Sequence, residues 1–216
     1  MRPKGKYDTS DLPEAQFEPG SRGRVLRNLM GIKRKREMEV IEEDEQHRAL
    51  EESTGIYDGK HRFSAKDVCD IHAIWLGKVY VWAGKYRNVN ISKGGFPFAA
   101  ASHIPSLMRE FEKGLLHRFT PCVSASSTDI ARAIAEVHVE LVLIHPFREG
   151  NGRTARLLAT LMAFQAGLPT LDFTGIRGST RREYFSAVQA GLDRNYAPME
   201  RIFSGVIRRT IRLHGK

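Results

Sequence analysis

The chain has 216 residues, 41% of them hydrophobic, and carries 34 Lys and Arg against 25 Asp and Glu, a net charge of +9. That length suits one domain with its own core, and no apolar stretch approaches the roughly 20 residues of a membrane-spanning helix. The start, Met1-Arg-Pro-Lys-Gly-Lys6, lacks the apolar run of a secretory signal, and two cysteines without metal-ligand spacing, Cys69 and Cys122, fit reduced thiols and a cytoplasmic setting.

Residues 1–21 hold Pro3, Pro13 and Pro19 and few large apolar groups, which predicts a flexible, extended N-terminal arm. A short helix is expected near Arg24–Met30, then a charged helix from about Lys33 to Glu52 that breaks at Gly55 and Gly59. Residues 37–56 contain eight acids against the single base Arg48, so this helix has a solvated acidic face. Ser64-Ala-Lys-Asp67 is an N-cap with an acidic first turn, opening a helix to about Tyr80 with Val68, Ile71, Trp75, Leu76 and Val79 inward. Further helices are expected over Ile104–His117, Ile130–Ile144, from Gly152 to the stop at Gly167-Leu-Pro169, over Thr180–Asp193 and over Pro198–Leu213. Between Val89 and Phe98 the alternating apolar residues and Lys93-Gly94-Gly95 predict one β-hairpin. The fold class is therefore mainly α with a single hairpin.

The chemistry concentrates in His145-Pro-Phe-Arg-Glu-Gly-Asn-Gly-Arg-Thr-Ala-Arg156. Pro146 cannot continue the preceding helix, so His145 sits at a helix end with a ring that can exchange a proton near neutral pH. Glu149 is a hard oxygen ligand of the kind Mg²⁺ takes. Gly150-Asn151-Gly152 opens the next helix, where free N–H groups and the positive end of the dipole make an anion site. Arg153 and Arg156, three apart, share a face of that helix. The parts suit phosphate chemistry. His138, His72 and His103 read as hydrogen-bonded core histidines rather than metal ligands, since no H-E-x-x-H spacing is present. A Walker-type phosphate loop is excluded by the missing first Gly and by Arg in place of Lys. The basic surplus admits nucleic-acid binding, but no helix-turn-helix or zinc pattern supports it, and a nucleotide-binding face also collects Arg.

The segment resembles the signature of Fic-domain proteins, His-x-Phe-x-[Asp/Glu]-Gly-Asn-Gly-Arg-x-x-Arg, at every specified position. Tyr80-Val-Trp-Ala-Gly-Lys-Tyr-Arg-Asn-Val-Asn90 and Ile91-Ser-Lys-Gly-Gly-Phe-Pro-Phe98 are similar to the family's upstream segment, and Asn195-Tyr-Ala-Pro-Met199 to its closing one. The likeness covers residues 22–207, leaving 208–216, with Arg208, Arg209, Arg212 and Lys216, as a basic C-terminal tail. The resemblance implies a Fic-type helical bundle and a protein adenylyltransferase. Such an enzyme moves AMP from ATP to a Ser, Thr or Tyr hydroxyl of a target protein and releases pyrophosphate. In that scheme His145 is the general base and Glu149 binds Mg²⁺. Gly150, Asn151 and Gly152 form the anion hole, and Arg153 and Arg156 clamp the outer phosphates. Phe147 anchors the loop. Tyr184, Asn195 and Tyr196 line the adenine pocket by their place in the chain, with core aromatics the alternative for Tyr184 and Tyr196. Ile91, Ser92, Lys93, Gly94, Gly95 and Phe96 form a flap that pairs with an extended target segment.

Many relatives carry an inhibitory helix of pattern [Ser/Thr]-x-x-x-Glu-[Gly/Asn]. Only Ser10, Ser106 and Ser179 have Glu four residues on, and Ala15, Phe111 and Tyr184 come after those acids, so the pattern is absent. A separate small antitoxin-like partner is then expected to supply inhibition of a toxin-like enzyme. The resemblance suggests a bacterial target such as a topoisomerase subunit. The alternatives are transfer of another nucleotide or a phosphoryl group, or a non-catalytic nucleotide-binding module. Phosphorylating relatives have Lys in place of the second Gly, and Gly152 argues for AMP.

Overall fold

A computed structural model describes residues 11–124 and 126–214. Among them lie eight α-helices in chain order: α1 Lys35–Ile56, α2 Ala65–Leu76, α3 Ile104–Phe111, α4 His117–Phe119, α5 Ser127–Ile144, α6 Asn151–Gln165, α7 Ser179–Ala190 and α8 Ala197–His214. A wider turn, Glu112–Leu116, joins α3 to α4. The described strands are β1, Ser92–Lys93, and β2, Phe96–Pro97, an antiparallel pair with Lys93 opposite Phe96.

The sequence explains most boundaries. Ser64 and Asp67 form a reciprocal capping box at the start of α2, and Ser126 accepts from the Asp129 N–H to start α5. Helix α5 is the centre of the bundle, packed on α6, α7 and α8. Its stripe of Ile130, Ile134, Val137, Leu141 and Ile144 is buried. On the other side α2 packs between α1 and α6, and Ile71, Trp75 and Leu76 are fully buried, each contributing about 1.5–3 kcal/mol of transfer free energy.

Several expectations need correction. Residues 24–30 are not a helix: Phe17 bridges to Leu26 and the Leu29 N–H reaches the Val79 carbonyl. The extended arm does not describe residues 11–21. Pro13–Ala15 form a short 3₁₀ turn, and buried Glu14 accepts from the Asn88 N–H through its carboxylate and from the Arg148 guanidinium through its carbonyl. Residues 1–10 lie outside the described part. Helix α1 runs through Gly55 to Ile56, and α2 stops at Leu76 rather than Tyr80. Arg208, Arg209 and Arg212 belong to α8 rather than to a separate tail. Cys69 and Cys122 are free thiols. No helix among the described residues is long and apolar enough to cross a membrane.

Candidate active site

The site forms where α5 ends and α6 begins. Pro146 stops α5, and His145 takes the left-handed conformation (φ 53°, ψ 58°), while its N–H still closes on the Leu141 carbonyl at 3.0 Å. Its Nδ1 lies 2.9 Å from the Val142 carbonyl. Only an N–H can donate there, so Nε2 carries the free lone pair. Phe98 stacks on the imidazole at 3.5 Å. Burial, with the cations of Arg87 and Lys93 nearby, lowers the His145 pKa to about 4, against the opposing effects of Val142 and Glu149. The ring is therefore neutral at working pH.

The loop after His145 is held internally. The Asn151 amide bonds both the N–H and the carbonyl of Phe147, at 2.8 Å each. Phe147 is fully buried and stacks on His72 at 3.9 Å. His72 Nδ1 accepts from the Gly84 N–H, and its Nε2 donates to the Glu149 carbonyl at 3.1 Å. That matched pair fixes a neutral tautomer. Gly150 has φ +83°, and a Cβ there would lie 2.7 Å from the Trp75 ring, so only Gly fits. No side chain caps α6, which leaves its first amides facing the cavity. A Cβ on Gly152 would meet nothing within 4 Å of protein, so the space beside it is open to a ligand.

The two arginines differ. Arg153 Nη1 pairs with Glu42 of α1 at 2.7 Å, its Nη2 lies 3.5 Å from Glu149, and the guanidinium lies over the Trp75 ring. Glu42 is only 5% exposed and also accepts from the Tyr80 hydroxyl at 2.8 Å. Trp75 Nε1 donates to the Glu42 carbonyl. Arg156 has no carboxylate partner among the described residues; it lies over Phe173 and Tyr184, and its Nε is buried without a hydrogen-bond partner. It is one cation left available to an anion, and Arg24, Lys93, Arg177 and Arg181 line the same cavity.

A cavity of about 760 Å³ joins these groups. His145, Glu149, Gly150, Asn151, Gly152, Arg153, Arg156 and Tyr184 line it, as does Lys93 of the hairpin. Ile91, Ser92, Gly94, Gly95 and Phe96 do not, and Asn195 lies outside it, exposed before α8. Tyr184 is both a core and a cavity residue: it is buried, and its hydroxyl meets His138 Nε2 at 2.7 Å. Tyr196 instead donates to Glu140. The hairpin turns on Gly94 and Gly95, both at positive φ, with Lys93 in the strand rather than the turn.

Sequence reasoning missed Glu42, Arg87 and Phe98 as parts of the site. Arg87 is 1% exposed. Its guanidinium donates to the carbonyls of His145, Val89 and Ala99, and its N–H to that of Pro146. It thereby ties both feet of the hairpin to the His145 loop. A single Arg among polar neighbours, Lys85, Asn88 and Asn90, carries no pattern that marks it as buried. Glu42 was hidden within an acidic run whose other members mostly face solvent.

The segment that builds this site lies within the part of the chain that matches known proteins. Residues 62–163 match the model of the Fic/DOC family. Protein adenylyltransferase VbhT of Bartonella schoenbuchensis is 33% identical over 75% of this chain and 33% of its own length. Protein adenylyltransferase Fic of Aedes aegypti is 30% identical over 69% of this chain and 28% of its own. The chain thus spans about a third of the length of these curated relatives. Among solved structures, the ADP-bound N-terminal Fic domain of a putative cell filamentation protein from Bartonella quintana is 26% identical, with TM-score 0.68, covering 84% of this chain and 89% of that one. The Fic domain of a Bartonella effector from strain AR 15-3 shares the fold at TM-score 0.73 and 19% identity, covering 94% and 95% of the two chains. The chain belongs to the Fic/DOC family.

Proposed function

We propose that the protein is an adenylyltransferase that moves AMP from ATP to a hydroxyl of a target protein. One observation carries the reading: a neutral histidine with its Nε2 lone pair free stands in one cavity with an uncapped helix N-terminus and an arginine that no carboxylate holds. The names of the curated relatives and the ADP bound in the related structure support it. ATP lies with its phosphates along Gly150-Asn151-Gly152 and its terminal phosphate toward Arg156. His145 Nε2 takes the proton of the target hydroxyl as its oxygen attacks the α-phosphorus. The bond from that phosphorus to the bridging oxygen breaks, and pyrophosphate leaves. The amides and Arg156 stabilise the charge that builds on the phosphoryl oxygens.

The donor set fits Mg²⁺. Glu149 is about half exposed to the cavity, and no cluster of three or more His, Cys, Asp or Glu able to hold a metal occurs among the described residues. A single carboxylate completed by phosphates and water is how Mg²⁺ is usually held. When bound, the ion offsets charge on the phosphates. Glu149 supplies one oxygen, and its orientation is set by the Gly150 N–H at 3.0 Å.

The hairpin is the surface for the target segment, with Arg87 holding it over His145. A toxin-like role restrained by a separate small antitoxin-like protein belongs to the same reading, because the in-chain inhibitory pattern is missing. Product analysis tests the proposal. AMP transfer releases pyrophosphate from ATP in step with target modification, whereas release of ADP alone means phosphoryl transfer and contradicts it.

A further inference from the structure

Helix α7 has two working flanks. Arg181, Tyr184 and Phe185 line the nucleotide cavity. Arg182, Ser186 and Ala187 line a second, open groove of about 1060 Å³ between α7 and α8. This groove is larger than the cavity around His145, and nothing in the proposed reaction uses it. Its floor is apolar, built from Ile176, Ala187, Pro198, Ile202 and Val206. Gly205 lies in the same floor, and a Cβ there would meet nothing within 4 Å. An approaching backbone can therefore come close along that line.

The walls are cationic. Arg182, Arg201, Arg208 and Arg212 line the groove, and none of their side chains has an ion pair or hydrogen bond among the described residues. Arg209, by contrast, is already tied to Asp172. Positions 201, 208 and 212 fall on one face of α8, a row of about 16 Å at 1.5 Å per residue. Glu183 on the α7 wall weakens the field on that side, so the stronger attraction for acids runs along α8.

We propose that the α7–α8 groove is a docking site for an acidic amphipathic helix of a partner protein. Charge complementarity calls for carboxylates along the α8 row. The apolar floor calls for an apolar face between them, which a phosphate chain does not offer. About three helical turns match the row, the usual geometry of a helix laid in a groove.

The test uses fluorescence anisotropy with the full chain and a labelled helical peptide of about three turns, with Leu on one face and Glu flanking it. A scrambled peptide of the same composition and a single-stranded oligonucleotide of equal charge serve as competitors. Two variants probe the walls and floor separately: R201E/R208E reverses charge, and Gly205→Leu fills the floor at a helical position with free space above it. The patterned peptide is expected to bind about tenfold more tightly than the scrambled one, and each variant to weaken it about tenfold. Circular dichroism and AMP transfer should stay unchanged in both. Equal binding of the two peptides, tighter binding of the oligonucleotide, or indifference to Gly205→Leu would overturn the proposal. So would concentration-dependent self-association that R201E/R208E abolishes, since the occupant is then a second copy of this chain.

Discussion

Replacing Glu42 by Gln removes one charge and almost no volume, so its effects trace to the contacts of that carboxylate. Glu42 is buried and holds Arg153 at 2.7 Å and the Tyr80 hydroxyl at 2.8 Å. A Gln can still meet Tyr80, but an amide N–H turned toward Arg153 opposes another donor. Breaking a fully buried pair costs about 3–5 kcal/mol. Arg153 keeps 31% of its side-chain exposure, so water recovers part of that, and about 1–3 kcal/mol remains. For a chain of this size the melting temperature should fall by roughly 3–10 °C. The functional consequence runs through Glu149, the other carboxylate within reach of Arg153, at 3.5 Å. Released from Glu42, Arg153 closes on Glu149 and competes with the metal for its oxygens. Isothermal titration at varied Mg²⁺ should then show a higher Mg²⁺ requirement for ATP binding in Glu42→Gln. Tighter ATP binding or faster transfer would refute this, and would mean that Glu42 restrains Arg153 from the phosphates.

Gly150→Ala must place a Cβ 2.7 Å from buried Trp75 at φ +83°; urea unfolding should show a loss of roughly 2–4 kcal/mol, and an unchanged midpoint contradicts the packing. Stability should fall on acidification. His72, His138 and His145 have folded pKa values of about 4, 3 and 4, chiefly through burial, so between the unfolded value of 6.5 and these values the unfolded chain binds the extra protons. Each histidine then contributes stability that is present above pH 6.5 and shrinks by about 1–2 kcal/mol on going to pH 5; a melting temperature flat from pH 7 to pH 5 goes against it. Phe98→Ala uncovers the His145 ring, which should raise its pKa toward 6.5 and shift the acid limb of kcat/KM upward. No movement of that limb means that the stacked ring does not set the protonation of His145.

The chemistry was legible in the sequence because it is contiguous: twelve residues from His145 to Arg156 carry the base, the carboxylate, the anion turn and both arginines. Helices with clean periodicity, such as α5 and α6, were legible for the same kind of local reason. The features that the sequence hid are long-range. Glu42 reaches Arg153 from 111 residues away, Arg87 meets the His145 carbonyl across 58, and Glu14 meets Arg148 across 134. Neither periodicity nor a motif records such pairs. The helix expected at residues 24–30 fails for the same reason, since that stretch spends its backbone groups on Gln16, Glu18 and Val79 rather than on itself. Likeness of chain position alone points Asn195 to the cavity, and its exposed place before α8 does not bear that out.

The most direct test of AMP transfer is label incorporation from ATP carrying the label at the α or the γ phosphate, with Mg²⁺, into a bacterial lysate. The intact protein is run beside His145→Ala. AMP transfer with His145 as the base predicts protein label from the α position only, lost in His145→Ala while ATP binding persists. Protein label from the γ position, or α label that survives in His145→Ala, would contradict it.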